Sequence, residues 1–286
     1  MSIDRILKLQ LKRVFRTPNY VRTFGLLAGL KLVFAIERDL PAASVRTRPF
    51  QAPGFPAPVH LRETIGDHSI FWQCLVMRQY DFSSFPQAER LQRQYLNILS
   101  EGRVPVIIDA GGNIGLAAFW FARVFPQACI VSVEPDAANF AILRRNLEVF
   151  GNRVVPVHGA ATEMPRLVRI INPEAGSSGF QVGPADTSGE GTVQGFTIDA
   201  LARQIEKGEL FIVKIDIEGS QRELFSANTG WIDEAQLIMI EIDDWQFPWQ
   251  ATCVNFFRAM SGRRFDYLLG GENMFCFRHL SQSPER

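Results

Sequence analysis

The run Val106-Ile107-Ile108-Asp109, followed by Gly111, Gly112 and Gly115, is the feature that most narrows what this 286-residue chain can become. Three β-branched residues after Pro105 predict a short buried strand, and Asp109 stands at its carboxyl end. The three glycines let the backbone turn tightly and approach something closely. Leu116 to Phe125 is almost wholly apolar and stops before Pro126, the pattern of a buried helix. Strand, glycine loop and helix make the layout of a nucleotide site in a doubly wound α/β domain.

The same alternation continues downstream. "CIVSVE" predicts a second strand ending at Glu134. Pro135 and Asp136 open a helix with Phe140, Leu143, Leu147 and Phe150 on one face. "RVVPVH" predicts a third strand, and Pro156 inside it predicts a sheet edge, because proline cannot donate to a ladder. Residues 161–196 are rich in Gly, Ser and Thr and read as an insertion or active-site loop, with β-prone "RLVRIIN" and "TVQGF" and a loop at Ser177-Ser178. "TIDALARQIEKG" predicts a helix stopped by Gly208. "LFIVKIDI" and "LIMIEID" predict two more strands, and "FDYLL" with "MFCFR" a hairpin around Gly270-Gly271.

Upstream, residues 1–58 read as a basic helical extension and a Pro-rich linker, with Pro49, Pro53, Pro56 and Pro58. Residues 59–103 read as a pre-domain on the core, with a strand at Val59, a helix near Ser69–Gln79 and another after Pro86. The catalytic domain is expected over 104–286.

Two cofactor classes share the strand–loop–helix layout. A dinucleotide loop wants G-x-G-x-x-G, with a helix N-terminus taking the pyrophosphate. Gly111-Gly112-Asn113-Ile114-Gly115 lacks that spacing, and Asp109 would repel a pyrophosphate. The carboxylate instead suits a cation, such as the amino group of a methionyl moiety. Glu134 could accept hydrogen bonds from ribose hydroxyls.

"DAGGNIG", "VEPDAANFAILRRNL" and "KIDIEGSQRELF" together resemble the FkbM-type family of S-adenosylmethionine-dependent methyltransferases. The first block is similar to its D-x-G-x-N-x-G loop, with Gly112 where alanine is common. The second is similar to its E-P-x-x-x-N-F segment. The third is similar to its K-I-D-x-E-G-x-E segment, with Gln221 in place of the last acid. "LRETIGDHSIFWQCLVMRQY" resembles the family's pre-domain through Asp67 and Tyr80. The resemblance implies a Rossmann-like class I methyltransferase fold, with seven strands, parallel apart from one near the C-terminus. It implies S-adenosylmethionine as cofactor. The backbone of Gly111, Gly112, Asn113 and Gly115 would cradle the methionyl end, and Asp109 would hold its amino group directly or through water. Glu134 would bind the ribose, Pro135 and Gly159-Ala160 would flank the adenine, and Asn139 would fix the loop after the second strand. It further implies O-methylation, often of a sugar or polyketide hydroxyl.

For chemistry the residues to watch are Lys214, Asp216 and Glu218, which alternate in one strand and so share a face or rim. Asp216 is the first choice as base, Glu218 the second, and Lys214 would stabilise developing negative charge. An ion pair that only braces the sheet is the plain alternative for Lys214 and Asp216. Asp243 and His158 are weaker candidates. An enzyme using a nicotinamide cofactor and a catalytically silent binding protein of this fold remain the competing function classes.

Composition supports a soluble, cytoplasmic reading. Net charge is zero, which gives no global attraction to nucleic acid. Cys74, Cys129, Cys253 and Cys276 are scattered, with neither metal nor redox spacing. Charge is uneven, however: residues 1–48 hold ten Lys/Arg against Asp4, Glu37 and Asp39. On a helical wheel Ile3, Ile6, Leu7, Leu11, Val14 and Phe15 fall opposite Arg5, Lys8, Lys12, Arg13 and Arg16. Residues 3–36 either pack on the core or at a homodimer interface, or lie peripherally on a membrane.

Overall fold

The computed structural model describes residues 3–41, 44–172 and 179–279, with side chains in the first helix from Leu7 onward. The Ser177-Ser178 loop lies outside the described residues, as do the side chains of Ile3, Arg5 and Ile6. The chain opens with helices α1 (Ile3–Phe24) and α2 (Leu26–Ile36), turned at Gly25. Strands β1 (Thr47–Phe50) and β2 (Val59–Arg62) form an antiparallel pair. Helix α3 (Ile65–Phe71) follows, capped by the Thr64 side chain, and runs into a π turn over Trp72–Val76; α4 spans Ala88–Ser100. The predicted Ser69–Gln79 helix therefore starts earlier and is not regular α-helix throughout.

From Val104 strands and helices alternate: β3 (Val104–Ala110), α5 (Leu116–Val124), β4 (Cys129–Glu134), α6 (Ala137–Leu147) and β5 (Val154–Ala161). Then come β6 (Arg166–Ile170), β7 (Val182–Pro184), β8 (Thr192–Phe196), α7 (Ile198–Ala202) and β9 (Gly208–Ile215). The chain finishes with α8 (Gln221–Leu224), β10 (Leu237–Glu241), α9 (Val254–Met260), β11 (Phe265–Gly270) and β12 (Asn273–Arg278). Gly208 begins a strand rather than stopping a helix, so α7 is shorter than its periodicity suggests.

These strands form one sheet in the order β11-β12-β10-β9-β3-β4-β5-β8-β6-β7. From β11 to β5 it is the expected seven-stranded Rossmann-like array, and β12 is the one strand running against its neighbours. The correction is at the other end. The segment read as an insertion adds β8, β6 and β7, giving ten strands among the described residues. β5 is thus not the edge. Even so, β8 joins it only at Gly159–Ala161, which leaves Pro156 on an unpaired flank where its missing N–H costs nothing.

Burial on both faces explains the apolar runs. In β3, Ile107 faces a core shared with α5, α4 and the N-terminal helices, while Val106 and Ile108 face one built with α7, Trp231 and α9. Leu116 to Ala122 of α5 is buried all round, which is why that helix shows no polar stripe. Tyr20, Leu32, Val33, Ile36 and Phe55 belong to the first core, and the Phe55 and Phe119 rings lie 5.4 Å apart. The chain leaves β5 for β8 on one side of β3 and returns through β9 and β10 on the other. The carboxyl ends of the parallel strands therefore meet at a switch point, where α/β domains bind ligands.

Candidate active site

A cavity of about 400 Å³ opens at that switch point. Gly111, Gly112, Asn113, Glu134, Pro135, Asn139 and Ala160 line it on the β4–β5 side. On the β9–β10 side it is lined by Lys214, Asp216, Glu218, Glu241 and Glu272. The sequence-predicted cofactor and catalytic groups thus share one cavity, except Asp109, Gly115 and Gly159 and the weaker candidates Asp243 and His158.

The glycine loop is shaped by close approach. Gly111 has φ +82°, and a Cβ there would sit 1.7 Å from the carbonyl oxygen of Asp216. At Gly112 a Cβ would fall 2.4 Å from Ser132 Oγ and 2.7 Å from Leu143 Cδ1, so the alanine common at this place does not fit beside Ser132. Gly115, at φ +85°, caps α5 from behind the loop. The N–H groups of Gly111 and Gly112 both donate to Val133 O, and that of Asn113 donates to Glu134 Oε2 at 2.8 Å. The loop's donors are therefore largely turned inward. What Gly111 and Gly112 offer a ligand is backbone without a side chain, rather than a ring of free N–H groups.

Asp109 stands at the carboxyl end of β3 as expected, but its side chain does not line the cavity. Its side chain is fully buried, accepts from Ser132 Oγ at 2.7 Å and lies 3.0 Å from Lys214 Nζ, so it meets a lysine of its own chain behind the loop. Lys214 Nζ also donates to Gly111 O at 2.7 Å and stands 3.5 Å from Asp216 Oδ2. Burial alone would lower the pKa of this ammonium, but Asp109 and Asp216 outweigh it and hold the pKa above the ordinary lysine value. The bracing ion pair weighed from the sequence is thus real, and it ends at the cavity wall.

Glu134 is almost wholly buried at the end of β4. It accepts from the N–H groups of Asn113 and Asp136 and from Asn139 Nδ2. Burial pushes its pKa up to about 8 against those hydrogen bonds. Asn139 is held in turn. Its N–H donates to Asp136 Oδ1, and its Oδ1 accepts from Arg62 Nη2 at 2.6 Å. Arg62 also pairs with Asp67 at 2.7 Å, so β2 and α3 brace the β4 loop through Asp67, Arg62, Asn139 and Glu134. Arg62 escaped the sequence reading, because nothing in sequence joins residues 77 positions apart.

Beyond β9 the chain leaves the strand at Asp216, and Glu218 adopts φ +50°. Strand alternation therefore does not set the geometry of Glu218, although it lines the same cavity. Asp216 Oδ2 accepts from the buried Tyr80 hydroxyl at 3.2 Å. Glu218 is pushed up to about 8 by burial and by Asp216 and Asp243. Glu241 is pushed up to about 9 by burial and by Asp216, Glu218 and Glu272. Asp243 does not reach the cavity: it is buried and accepts from Thr252 Oγ1 at 2.6 Å. Gln221, the departure from the family motif, is fully buried and donates to the Glu241 carbonyl. His158 lies outside the cavity lining, stacked on Phe140 with its Nε2 at Pro135 O. Phe180, Trp245 and Glu272 also line the cavity and were missed. Trp245 and Glu272 sit just past strand ends on the β10 side, a position that marks them once strand order is known. Among the described residues no cluster of His, Cys, Asp and Glu is placed to hold a metal ion.

Comparison with known proteins gives partial matches. "Methyltransferase 1" of Beauveria bassiana (strain ARSEF 2860) is 40% identical over 52 residues, 18% of this chain and 21% of that protein. "Methyltransferase sdnD" of Sordaria araneosa is 46% identical over 43 residues, 15% of this chain and 17% of that one. The chain thus spans about a fifth of the length of the curated relatives it matches. Among solved structures, monomeric WbdD is similar at 14% identity and a TM-score of 0.40, over 72% of this chain and 43% of that one. A putative caffeoyl-CoA O-methyltransferase from Staphylococcus aureus is similar at 12% identity and a TM-score of 0.38, over 66% and 83%. The model of the methyltransferase FkbM domain matches residues 109–268, from the buried aspartate of β3 through the carboxylates of the cavity into β11, and by that match over more than half its length this chain belongs to the FkbM methyltransferase family.

Proposed function

We propose that the chain transfers a methyl group from S-adenosylmethionine to a hydroxyl oxygen, most naturally of a glycan, a glycolipid precursor or a glycosylated small molecule. The observation that carries this reading is the division of one cavity into a bare-backbone end with a buried acid, Glu134, and a carboxylate end at Asp216. The residues fit the cofactor. The position of Gly111 excludes any side chain; on this reading Glu134 takes the ribose hydroxyls, and Pro135 with Ala160, which line the same cavity, takes the base. When bound, S-adenosylmethionine supplies a methyl on a sulfonium whose C–S bond breaks with its electron pair returning to sulfur.

What the protein must add is alignment and a proton acceptor. Asp216, as a carboxylate beside the Lys214 ammonium, takes the acceptor's hydroxyl proton while the oxygen bonds to carbon. Tyr80 fixes the Asp216 side chain by donating to Oδ2. Lys214, held by Asp109, keeps positive charge beside the deprotonating centre. Glu218 and Glu241, with raised pKa values, can each donate as well as accept, which suits an acceptor with several hydroxyls. Trp245 and Phe180 add apolar faces, while the clustered acids disfavour an anionic acceptor next to Asp216.

The test pairs calorimetry with transfer of labelled methyl to a glycan-containing extract. S-adenosylmethionine and its demethylated product should bind and raise the melting temperature, and NAD should do neither. Stabilisation by NAD alone would overturn the cofactor assignment. Label appearing on nitrogen or carbon would overturn the hydroxyl.

A further inference from the structure

We infer that the outer face of the α1–α2 hairpin docks the protein on an anionic lipid bilayer. The carrying observation is that α1 packs inside out. Amphipathic helices of globular proteins bury the apolar stripe and expose the charged one. Here the charged side turns inward. Lys12 Nζ lies 2.8 Å and Arg16 Nη1 2.9 Å from the carboxylate of Glu37, Arg13 Nε donates to the Glu37 carbonyl, and Tyr20 donates to the same carboxylate. Glu37 is 1% exposed and Arg16 stacks over the Trp72 ring. The apolar side is left bare: Val14 is 67% and Phe15 75% exposed, with Leu7 and Leu11 on the same face.

Helix α2 repeats the arrangement. Leu32, Val33 and Ile36 enter the core, while Leu26 (63% exposed), Leu27 (76% exposed), Leu30 and Phe34 point away from it. The two helices are tightly joined. A Cβ at Gly29 would come 2.7 Å from the Tyr20 carbonyl oxygen, so only glycine lets α2 lie this close to α1. The hairpin is also anchored to the body through Tyr20–Trp72 and Phe24–Phe71 ring contacts and the Thr23 hydroxyl on Val76 O. Eight large apolar side chains thus stand exposed on two joined helices, a concentration that marks an interaction surface.

Charge selects the occupant. Between Arg5 and Ile36 there is no carboxylate, and of the seven cations there Lys12, Arg13 and Arg16 are turned in to Glu37. Arg22 and Lys31 are exposed at the hairpin surface. An isologous contact with a second copy would set these cations against the same cations, with no acid to meet them. A bilayer with anionic headgroups satisfies both halves of the face: the apolar residues enter the acyl boundary and the cations meet phosphates. Among the described residues no helix is long and apolar enough to cross a membrane, so the hairpin lies in the interface. The π turn that carries the hairpin through Trp72 also supplies Gln73 and Cys74 to the cavity wall, so docking would set the cavity's wall against the membrane surface.

The test uses the full chain with phosphatidylcholine vesicles, with and without phosphatidylglycerol. Sedimentation with the anionic vesicles is expected, weakening as salt rises. The double variant Phe15→Glu/Leu27→Glu should partition about tenfold more weakly, with an unchanged melting temperature, because both side chains are exposed. Lys31→Glu should weaken partitioning by at least about fivefold. A full chain that stays in the supernatant with phosphatidylglycerol at low salt overturns the inference. So does a double variant that sediments like the parent. A dimer in sedimentation velocity, dissolved by the same double variant without any vesicle binding, would assign the face to a second copy instead.

Discussion

At the scale of single residues the site rests on a few buried polar groups held by named partners. Lys214 is the clearest case. A buried ammonium is costly unless paired, and here Asp109, Asp216 and the Gly111 carbonyl share it. Asp216 is the only one of its two carboxylate partners that lines the cavity. Asp216→Asn preserves shape and the Tyr80 hydrogen bond to oxygen while removing proton acceptance. We therefore expect a fall of about two to four orders of magnitude in turnover, with cofactor affinity nearly unchanged. Single-turnover kinetics beside a cofactor titration would separate the two, and near-normal turnover would move the base to Glu218. Much of this was legible in sequence, because Asp109, Glu134 and Asp216 each follow an apolar run and so had to stand at strand ends. What could not be read was partnership. That Asp109 spends itself on Lys214, and that Arg62 reaches Asn139, depends on strands and loops brought together from distant parts of the chain.

At the scale of elements, the loops leaving β9 and β10 and the β11–β12 turn gather Asp216, Glu218, Glu241 and Glu272. Such crowding links stability to pH. Glu218 and Glu241 hold their protons to about 8 and about 9 in the folded chain, whereas in the unfolded chain they release them near 4.5. Between those limits the native state binds more protons than the unfolded one, so stability is fullest at the acid end and falls as pH rises towards 9. Scanning calorimetry from pH 6 to 9 should show a declining midpoint, and Glu218→Gln/Glu241→Gln should flatten the decline. A midpoint that rose with pH would contradict the burial of these acids. The elements themselves were mostly legible: β3, β4, β9 and β10 begin and end close to where their apolar runs do. The segment between β5 and β8 was read as an insertion because its β-prone pieces are short and separated by Gly- and Ser-rich stretches. Its role as a sheet extension comes from pairing along β5 and β8, a non-local effect that periodicity does not carry.

At the scale of the whole molecule, the N-terminal region is both a structural lid and an exposed surface. Its amphipathicity was plain in the sequence, but the direction it faces was not, because that is decided by Glu37, a single acid beyond the end of α2. Tyr20, Leu32, Val33, Ile36 and Phe55 close one side of the core formed by Phe71, Leu75 and Phe119. A chain starting at Val59 would uncover those rings and lose several side-chain burials, each worth about 1.5–3 kcal/mol. Loss of the extension also frees the unfolded chain of segments it would otherwise have to order, which offsets part of that sum. The net change should still exceed about 3 kcal/mol and lower the melting temperature by at least about 6 °C for a domain of this size. Such a chain should bind a dye for exposed apolar surface and aggregate on concentration, whereas the full-length Phe15→Glu/Leu27→Glu variant should do neither. If the chain from Val59 melts like the parent, the extension is not part of the core and the packing of Tyr20 and Phe55 contributes nothing measurable. If it is destabilised as expected, the inner and outer faces of the hairpin are separable. The inner face holds the catalytic body together, and the outer face can be altered by surface substitution without disturbing it.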